Sequence, residues 1–318
     1  MPSNTFIEFV FTTDTAEWRN RAIPSVSIWR DEVLPKLTAW TQPLERAMVG
    51  GFMADRQAFA FLAAYQAALQ KQFPFLNPAK LAAFCVSEQG GSKPKAMNTT
   101  MRAEKQGYLI NGAKTFVTCA DHAQCLLVAV RDSLSDPERP QIKIVVLDAK
   151  DAGVCVEEDK VLPFMPELQR GRLQLHDCYC PVDAVLPGDG YALHVKPFSP
   201  LEAFFVMAAG VGYLLALARQ YDWPEIFVEQ CVCLLHAIQS ADFDKPENSV
   251  NQLLLNALRQ QLRALVEQTE QAQFWHKVDE DTKTRWLWDK GVLMFSDRSH
   301  AIRLERAWQQ LRELKKIE

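Results

Sequence analysis

The sequence predicts an α+β fold in which helices and strands occupy separate stretches of the chain. Apolar side chains recur at helical spacing in Ala54–Phe73, whereas Thr99–Thr118 alternates between apolar and polar residues, as a half-buried strand does. Helical spacing returns from Ser199 onward. Because runs of one element type favour segregated layers over alternating βα units, we expect N-terminal helices, a middle β-barrel or β-sandwich, and a C-terminal helical bundle.

The predicted domain boundaries lie at turns rich in proline and glycine. Pro74 and Pro78 end the long N-terminal helix, because proline removes a helix hydrogen bond. The turn "PGDG" (Pro187–Gly190) closes the strand-rich segment. We therefore expect a trimmed N-terminal helical domain at residues 1–79, a β domain at 80–187 and a helical bundle at 188–318.

The pattern also places individual elements in the last two domains. Asn111-Gly112 lies between two short extended runs and predicts a β-hairpin, because both residues tolerate positive φ. "CLLVAV" (Cys125–Val130) and "IKIVVLD" (Ile142–Asp148) are typical of buried strands. The C-terminal segment predicts four long helices at Leu201–Tyr221, Glu225–Ser240, Ser249–Lys277 and Asp281–Lys316.

Composition limits the classes of function and the compartment. The 318 residues carry a net charge of −4, and nothing favours nucleic acid, which usually needs a basic surface. Glu8 interrupts the first apolar run, so we expect no secretion signal and a cytoplasmic protein. The eight cysteines form no CxxC pair, so we expect reduced thiols and no metal. Phe204–Ala218 is shorter than the ~20 residues of a membrane span, which predicts a buried helix.

The stretch "FCVSEQGGSKP" (Phe84–Pro94) predicts a strand that ends in a loop open to a ligand. Gly90-Gly91 has no side chain to hold a ligand away from the backbone. Ser87 and Thr118 offer hydroxyl groups, and Phe116 offers an aromatic wall for a flat ring. The same residues also fit a plain glycine turn and a core aromatic of the hairpin, so the residues alone leave both interpretations open.

The order of these elements, with these residues at its joints, resembles the acyl-CoA dehydrogenase family, and the chain looks like a short, divergent member. The first matching motif is "SEQGGS" (Ser87–Ser92), where the family has Thr/Ser-Glu-Pro followed by Gly-Ser. The second is "NGAKTFVT" (Asn111–Thr118), in which Phe116 stands where Trp is usual. The third is the Gly/Ala-rich helix "LEAFFVMAAGVGYLLALA" (Leu201–Ala218).

The resemblance implies a flavoprotein that oxidises an acyl thioester at Cα–Cβ, with the proton going to a glutamate and the hydride to flavin N5. It implies FAD as cofactor, acyl-CoA or a related thioester as substrate, and electron-transfer flavoprotein as acceptor. Ser92 would contact the flavin phosphate or the substrate. The implied cofactor-binding residues are Phe84, Val86, Ser87, Gly91, Phe116 and Thr118.

The resemblance implies two positions for the carboxylate that removes the α-proton. Most members carry it late in the chain, after an aromatic residue; here Ser296 stands at that place and Asp297 follows. In the isovaleryl-CoA and long-chain branches it opens the Gly-rich helix, which corresponds to Glu202. We therefore take Glu202 as the candidate base and Asp297 as the runner-up. Glu202 also fits a carboxylate that favours the helix dipole, with Ser199 as cap and Pro200 at the first position.

Several departures from the family pattern keep alternatives open. The Arg-x-x-Phe-Gly and Gln-x-x-Gly-Gly-x-Gly segments that grip the adenosine half of FAD are missing, and Ala203 replaces the usual arginine. Weakly held FAD, FMN or an empty pocket are therefore all open, as are a degenerate scaffold subunit and a repurposed oxidase. Gly210 and Gly212 predict room for an acyl chain. We also expect a homo-oligomer formed through the C-terminal helices.

Overall fold

The computed structural model describes residues 6–15, 22–158, 162–241, 245, 248–294 and 297–314. These residues divide into two compact units. The helical unit consists of the described residues of Met1–Pro24, Asp31–Lys71 and Ser199–Glu318, and the β unit consists of those of Ser25–Arg30 and Gln72–Phe198. The predicted fold class is confirmed, because helices come first, a curled sheet follows and helices end the chain. The three-domain boundaries stay predictions.

The described α-helices precede and follow the strands in the chain. Helix α5 is buried on nearly every side, and Gln57, Gln66 and Gln70 are buried together with its apolar residues. The helices before the sheet are α1 Phe6–Thr12, α2 Val26–Glu32, α3 Leu34–Leu37, α4 Pro43–Met53 and α5 Gln57–Gln72. Those after it are α6 Lys196–Gln220, α7 Glu225–Gln239, α8 Ser249–Gln268, α9 Glu280–Asp289 and α10 Asp297–Leu314.

Helix α6 begins earlier than the sequence predicted. The Asp189 carboxylate accepts hydrogen bonds from the N–H groups of Tyr191 (2.9 Å) and Ala192 (3.1 Å), so it caps the helical turn that leads into α6. The prediction of Ser199 as cap and Pro200 as first residue is therefore wrong, and Pro200 lies inside the helix. No acidic residue lies in the first turn of α6, so the helix dipole no longer accounts for Glu202.

The last two predicted helices are each interrupted. The helix predicted at Ser249–Lys277 ends at Gln268 as α8, and a 3₁₀ turn follows at Ala272–Trp275. The indole N–H of Trp275 donates to the carbonyl of Thr269 (2.6 Å), and that of Trp286 donates to the Thr269 hydroxyl (3.1 Å). Two buried indoles thus satisfy the helix end, a long-range arrangement that periodicity does not reveal.

The helical unit packs through glycines at which backbones approach closely. A Cβ on Gly51 of α4 would overlap the backbone of Ala209 in α6, and one on Gly212 would overlap the carbonyl oxygen of Met48. A Cβ on Gly210 would overlap the side chain of Leu293. The expectation that Gly210 and Gly212 leave room for an acyl chain is therefore wrong, because protein atoms already fill that space.

The β unit is built on one seven-stranded sheet. Strand β4 pairs in parallel with β1 at one end and with β2 at the other, and pairs antiparallel with β5 along its opposite edge. A bridge between Val145 and Val185 joins β5 to the segment after β7, so the sheet curls around an apolar core. The strands are β1 Ala82–Cys85, β2 Thr100–Glu104, β3 Gly107–Thr118, β4 Cys125–Asp132, β5 Ile142–Asp148, β6 Val154–Glu158 and β7 Arg170–Pro181.

Among the described residues, one helical stretch, Tyr191–Gln220, is long and apolar enough to cross a membrane by length and composition. Its apolar window is 89% buried inside the protein, which a core helix also shows.

All eight cysteines are free thiols. Within the described part of the chain, no three His, Cys, Asp or Glu residues are grouped so that they could hold a metal ion.

Candidate flavin-binding loop and hairpin

The loop after β1 forms a tight turn around its glycines. The backbone N–H and carbonyl of Glu88 and Gly91 bond to each other in both directions, at 3.1 and 2.9 Å. Gly91 has φ = +112°, a conformation that only glycine adopts readily. A Cβ there would meet nothing within 4 Å, so open space lies beside the turn. Among the described residues, the N–H groups of Gln89 and Gly90 meet no acceptor.

A buried carboxylate holds both ends of this loop. Glu88 lies at the loop's start and is 6% exposed. Its carboxylate oxygens accept hydrogen bonds from the backbone N–H of Asn98 (2.6 Å) and of Thr99 (3.1 Å), where the loop ends. The Lys114 ammonium, which is fully buried in β3, donates to Glu88 Oε1 at 2.7 Å. One carboxylate thus joins three segments of the chain.

The loop and strand β3 lie together, although the predicted hairpin turn at Asn111-Gly112 is wrong. Those two residues form a bulge inside β3, and the β2–β3 turn lies at Lys105-Gln106. The N–H of Thr115 donates to the Ser87 carbonyl at 2.8 Å, and Lys114 Nζ donates to the Val86 carbonyl at 3.4 Å. Strand β3 is therefore tied to the end of β1 directly before Phe116. The hydroxyl groups of Ser87 and Thr118 bond to no other described residue and are half-buried, so they stay available.

Phe116 is strained and exposed, which is unusual for an aromatic residue. The register of β3 against β7 shifts between Lys114 and Val117, and Phe116 takes φ = +57° within this irregularity. Its side chain is 57% exposed. Cys119 also has positive φ, at +54°. Strained residues concentrate at functional sites, and here the strained residue is an exposed aromatic one directly after the strand residues that bond to the loop.

Burial and pairing shift the pKa values of the two buried charges. Burial by itself raises the pKa of the Glu88 carboxyl, but Lys114 and the N–H groups of Asn98 and Thr99 overcome this, and the net pKa is lowered. Burial lowers the pKa of the Lys114 ammonium, and the attraction of Glu88 opposes that shift only in part. The Glu88 carboxylate is therefore the better satisfied of the two charges.

The remaining predicted cofactor residues of the β unit have different surroundings. The ring of Phe84 is buried between Phe73 (centroid distance 5.3 Å) and Phe198 (5.2 Å), so it supports the strand from within the core. Only its backbone remains for a ligand. Ser92 is exposed in the loop.

An open pocket of about 750 Å³ lies farther along this loop. It is lined by Lys93, Pro94, Lys95, Glu138, Arg139, Pro140, Gln141, Ile142, Lys143, Gly188, Asp189 and Tyr191.

The two candidate bases lie in the helical unit. Glu202 is half-buried in α6 and has interactions with other residues. Asp297 is the first residue of α10, and its side chain lies outside the described part of the structure, as do Phe295 and Ser296. The choice of Glu202 over Asp297 therefore stays a prediction.

The strand-and-loop segment that carries this site matches a known family. Residues 83–178 match the model for the middle domain of acyl-CoA dehydrogenases. Residues 83–178 thus belong to the middle domain of the acyl-CoA dehydrogenase family. This is a family of flavin-dependent oxidoreductases that includes related oxidases.

Individual acyl-CoA dehydrogenase relatives match over part of their length. The chain is 34% identical over 91 residues to a 3-(aryl)acrylate reductase of Clostridium sporogenes, which covers 28% of this chain and 24% of that protein. It is 30% identical over 127 residues to the human mitochondrial short-chain specific acyl-CoA dehydrogenase, covering 39% of this chain and 30% of that one. The prolyl acyl carrier protein oxidase AnaB has the same fold, with a TM-score of 0.67, 16% identity and coverage of 95% and 96%.

Sequence reasoning missed the Glu88–Lys114 pair. Both residues stand inside the motifs that carried the family resemblance, yet they were given no role. A usable signal was present, because each is the lone charge in a stretch that is otherwise uncharged, and such a charge needs a partner when it is buried. Which partner each would find depends on the pairing of distant strands.

Proposed function

We propose that this acyl-CoA dehydrogenase homologue is a flavin-dependent oxidoreductase that oxidises a thioester at its Cα–Cβ bond. The observation that carries the proposal is the exposed, strained Phe116, which directly follows the strand residues that bond to the start of a loop with an open glycine turn. A structural hairpin needs neither an outward aromatic ring nor positive φ at that residue. A flat, mostly apolar ring system with polar edges uses both.

The residues present fit the isoalloxazine ring of a flavin. The ring would lie against Phe116, and its polar edge would meet the free N–H groups of Gln89 and Gly90. The hydroxyl groups of Ser87 and Thr118 would supply further hydrogen bonds. Bound flavin would supply the hydride acceptor. The chain's own contribution is a preformed edge that orients the ring and leaves one face open to substrate.

The pocket beyond the loop suits the phosphates of a coenzyme A nucleotide. Its lining carries four cations, at Lys93, Lys95, Arg139 and Lys143, against the acids Glu138 and Asp189. Lys95 pairs with Glu138 at 2.6 Å, whereas Lys93 and Arg139 have no carboxylate partner among the described residues. Two free cations beside an apolar floor favour an anionic carrier group attached to the thioester.

Glu202 would accept the α-proton in this scheme. It is the sole acid between Asp189 and Asp222, it is half-buried in α6, and a carboxylate is a group that can serve as a general base. Electron-transfer flavoprotein, a cytoplasmic location and a homo-oligomer through the C-terminal helices belong to the same proposal. Trp288 and Trp308 support the oligomer, since they are 65% and 47% exposed.

The deciding experiment is an absorbance spectrum of the freshly purified full chain, with mass identification of any flavin released on heating. Flavin bands that bleach when acyl-CoA is added support the proposal, and the released mass distinguishes FAD from FMN. The second candidate is a non-catalytic scaffold subunit, which the missing adenosine-binding motifs favour. Protein that stays colourless after incubation with FAD or FMN favours the scaffold.

A further inference from the structure

The stability of the β core does not require a charged pair at positions 88 and 114. Its side chains are 5% and 0% exposed, so both charges have left water almost completely. Desolvating two charges costs several kcal/mol per ion, and well-packed apolar residues in place of a buried pair are often as stable or more stable. Folding of the sheet therefore does not explain why charged residues occupy these two positions.

What the pair does is connect the flavin-facing elements to each other. Glu88 fixes the far end of the loop through two successive N–H groups, at Asn98 and Thr99. Lys114 fixes the near end through the carbonyl of Val86 and lies two residues before Phe116. An apolar pair of similar volume would fill the space but would leave these backbone groups without partners.

The loop in between has few anchors of this strength. Residues 89–93 are exposed, Gly91 touches no side chain nearby, and the Lys95–Glu138 pair lies on the surface. Met97 is buried and anchors the exit of the loop. The position of the glycine turn relative to Phe116 therefore depends on the buried pair.

We propose that Glu88 and Lys114 are positioning residues that hold the loop 89–97 against Phe116, so that the flavin edge is preformed. The inference rests on the proposed function, since it assigns the pair to the flavin site and not to folding. A preformed site avoids the entropic cost of ordering the loop at the moment of binding. Loss of the pair should weaken flavin binding even where stability is restored.

The test compares the full-length wild type with the double variant Glu88→Gln/Lys114→Met. The double variant removes both charges, so no uncompensated charge stays buried, and we expect its melting temperature to lie within a few degrees of wild type. We expect its affinity for FMN and FAD, measured by quenching of flavin fluorescence, to be at least ~10-fold weaker because Lys114 no longer ties Val86 and Glu88 to β3. A purely structural pair would not separate these two measurements.

How firmly the loop 89–97 is held can be measured by proteolysis of the flavin-free protein. Trypsin can cut after Lys95 but not after Lys93, because Pro94 follows. We expect cleavage after Lys95 to be at least ~10-fold faster in the double variant, since a released loop enters the protease more often. Leu147→Ala is the matched control, because Leu147 lies in the same β core but on β5, outside the loop and β3. It should lower the melting temperature while leaving the cleavage rate and flavin affinity within about twofold.

Two results would overturn the inference while leaving the proposed function intact. One is a double variant that binds flavin as tightly as wild type. The other is an equal loss of flavin affinity in Leu147→Ala, which would show that affinity follows general stability. A wild type that binds neither FMN nor FAD would instead refute the proposed function, and the positioning role with it.

Discussion

The two units of this protein use opposite means to bring backbones together. In the helical unit, glycines let α4 and α6 approach so closely that Gly51 and Gly212 contact backbone atoms of the other helix. In the β unit, a buried ion pair joins a loop to a hairpin, and Gly91 beside it faces open space. A glycine in the first unit is a packing residue, whereas one in the second leaves room for something else.

This difference shows that residue type alone does not identify a site. Gly210-x-Gly212 and Gly90-Gly91 are similar in sequence, but only the second pair is free of close neighbours. Substitutions in each unit test this difference. They are given in order of decreasing expected effect.

Glu88→Gln should be the most destabilising single substitution of the set. It leaves the Lys114 ammonium buried without a counter-charge, which typically costs about 3–5 kcal/mol. We expect the melting temperature of the β unit to fall by roughly 10 °C in calorimetry. A loss under 1 kcal/mol would mean that the pair is hydrated in solution.

The pH dependence of that loss has a definite sign. The folded-state pKa of Glu88 is lowered, so its stabilisation is present above the unfolded pKa of about 4.3 and is lost as pH falls through the folded value. The gap in stability between wild type and Glu88→Gln should therefore be constant from pH 5 to 7 and narrow below about pH 4. A gap that widens in acid would contradict the assignment.

Glu202→Gln tests the helical unit for chemistry. The substitution preserves the shape of the side chain and removes the proton acceptor. If Glu202 is the base, acyl-CoA-dependent flavin reduction should slow by at least ~10², with flavin content and melting temperature nearly unchanged. Asp297→Asn is the comparison variant, and loss of activity there with Glu202→Gln still active would transfer the role to Asp297.

Gly51→Ala tests whether packing alone explains the glycines of the helical unit. The added methyl group would overlap the backbone of Ala209, so we expect a loss of about 1–3 kcal/mol in the free energy of unfolding. Gly291→Ala is the matched control, because its Cβ would meet nothing within 4 Å. That variant should stay within about 0.5 kcal/mol of wild type, and equal losses in both would rule out the packing explanation.

Gly90→Ala is the corresponding probe in the β unit. A Cβ at Gly90 would lie 3.5 Å from the Ala96 carbonyl oxygen, an ordinary contact, so the flavin-free protein should be destabilised by less than about 1 kcal/mol. Flavin affinity should fall roughly 10-fold if the ring approaches this backbone. Valine at Gly91 is a poorer probe, because φ = +112° strains any side chain there whether or not flavin binds. Unchanged affinity in Gly90→Ala would favour the plain glycine turn.

The reactivity of buried thiols shows when each unit unfolds, and this measurement adds no substitution of its own. Burial raises the pKa of Cys85 in the β unit to about 12 and also raises the pKa of Cys231 in the helical unit. At pH 8, iodoacetamide should therefore modify the exposed Cys155 and Cys233 first. On warming, Cys85 should lose protection before Cys231 in Glu88→Gln, and after it in Gly51→Ala. Simultaneous exposure in both variants would show that the units unfold together.

The sequence by itself determined the order of elements, and it singled out the loop and strand β3 as the candidate site. Change of hydrophobic period marked where helices give way to strands, because side-chain alternation follows directly from local backbone geometry. The Ser87–Ser92 loop was found for the same reason, since its turn residues act locally. The hairpin turn predicted at Asn111-Gly112 is wrong, because these residues form a bulge inside β3 and the β2–β3 turn lies at Lys105-Gln106.

Only the tertiary structure decided the features that depend on residues far apart in the sequence. The partners of Glu88 and Lys114, 26 residues apart, follow from the strand pairing that places β3 beside the end of β1. The start of α6 was set by Asp189 and not by Ser199, because the capping carboxylate bonds to the N–H groups of Tyr191 and Ala192. Whether a glycine is filled or open depends on which backbone lies opposite it, and that is a property of packing over long sequence separations.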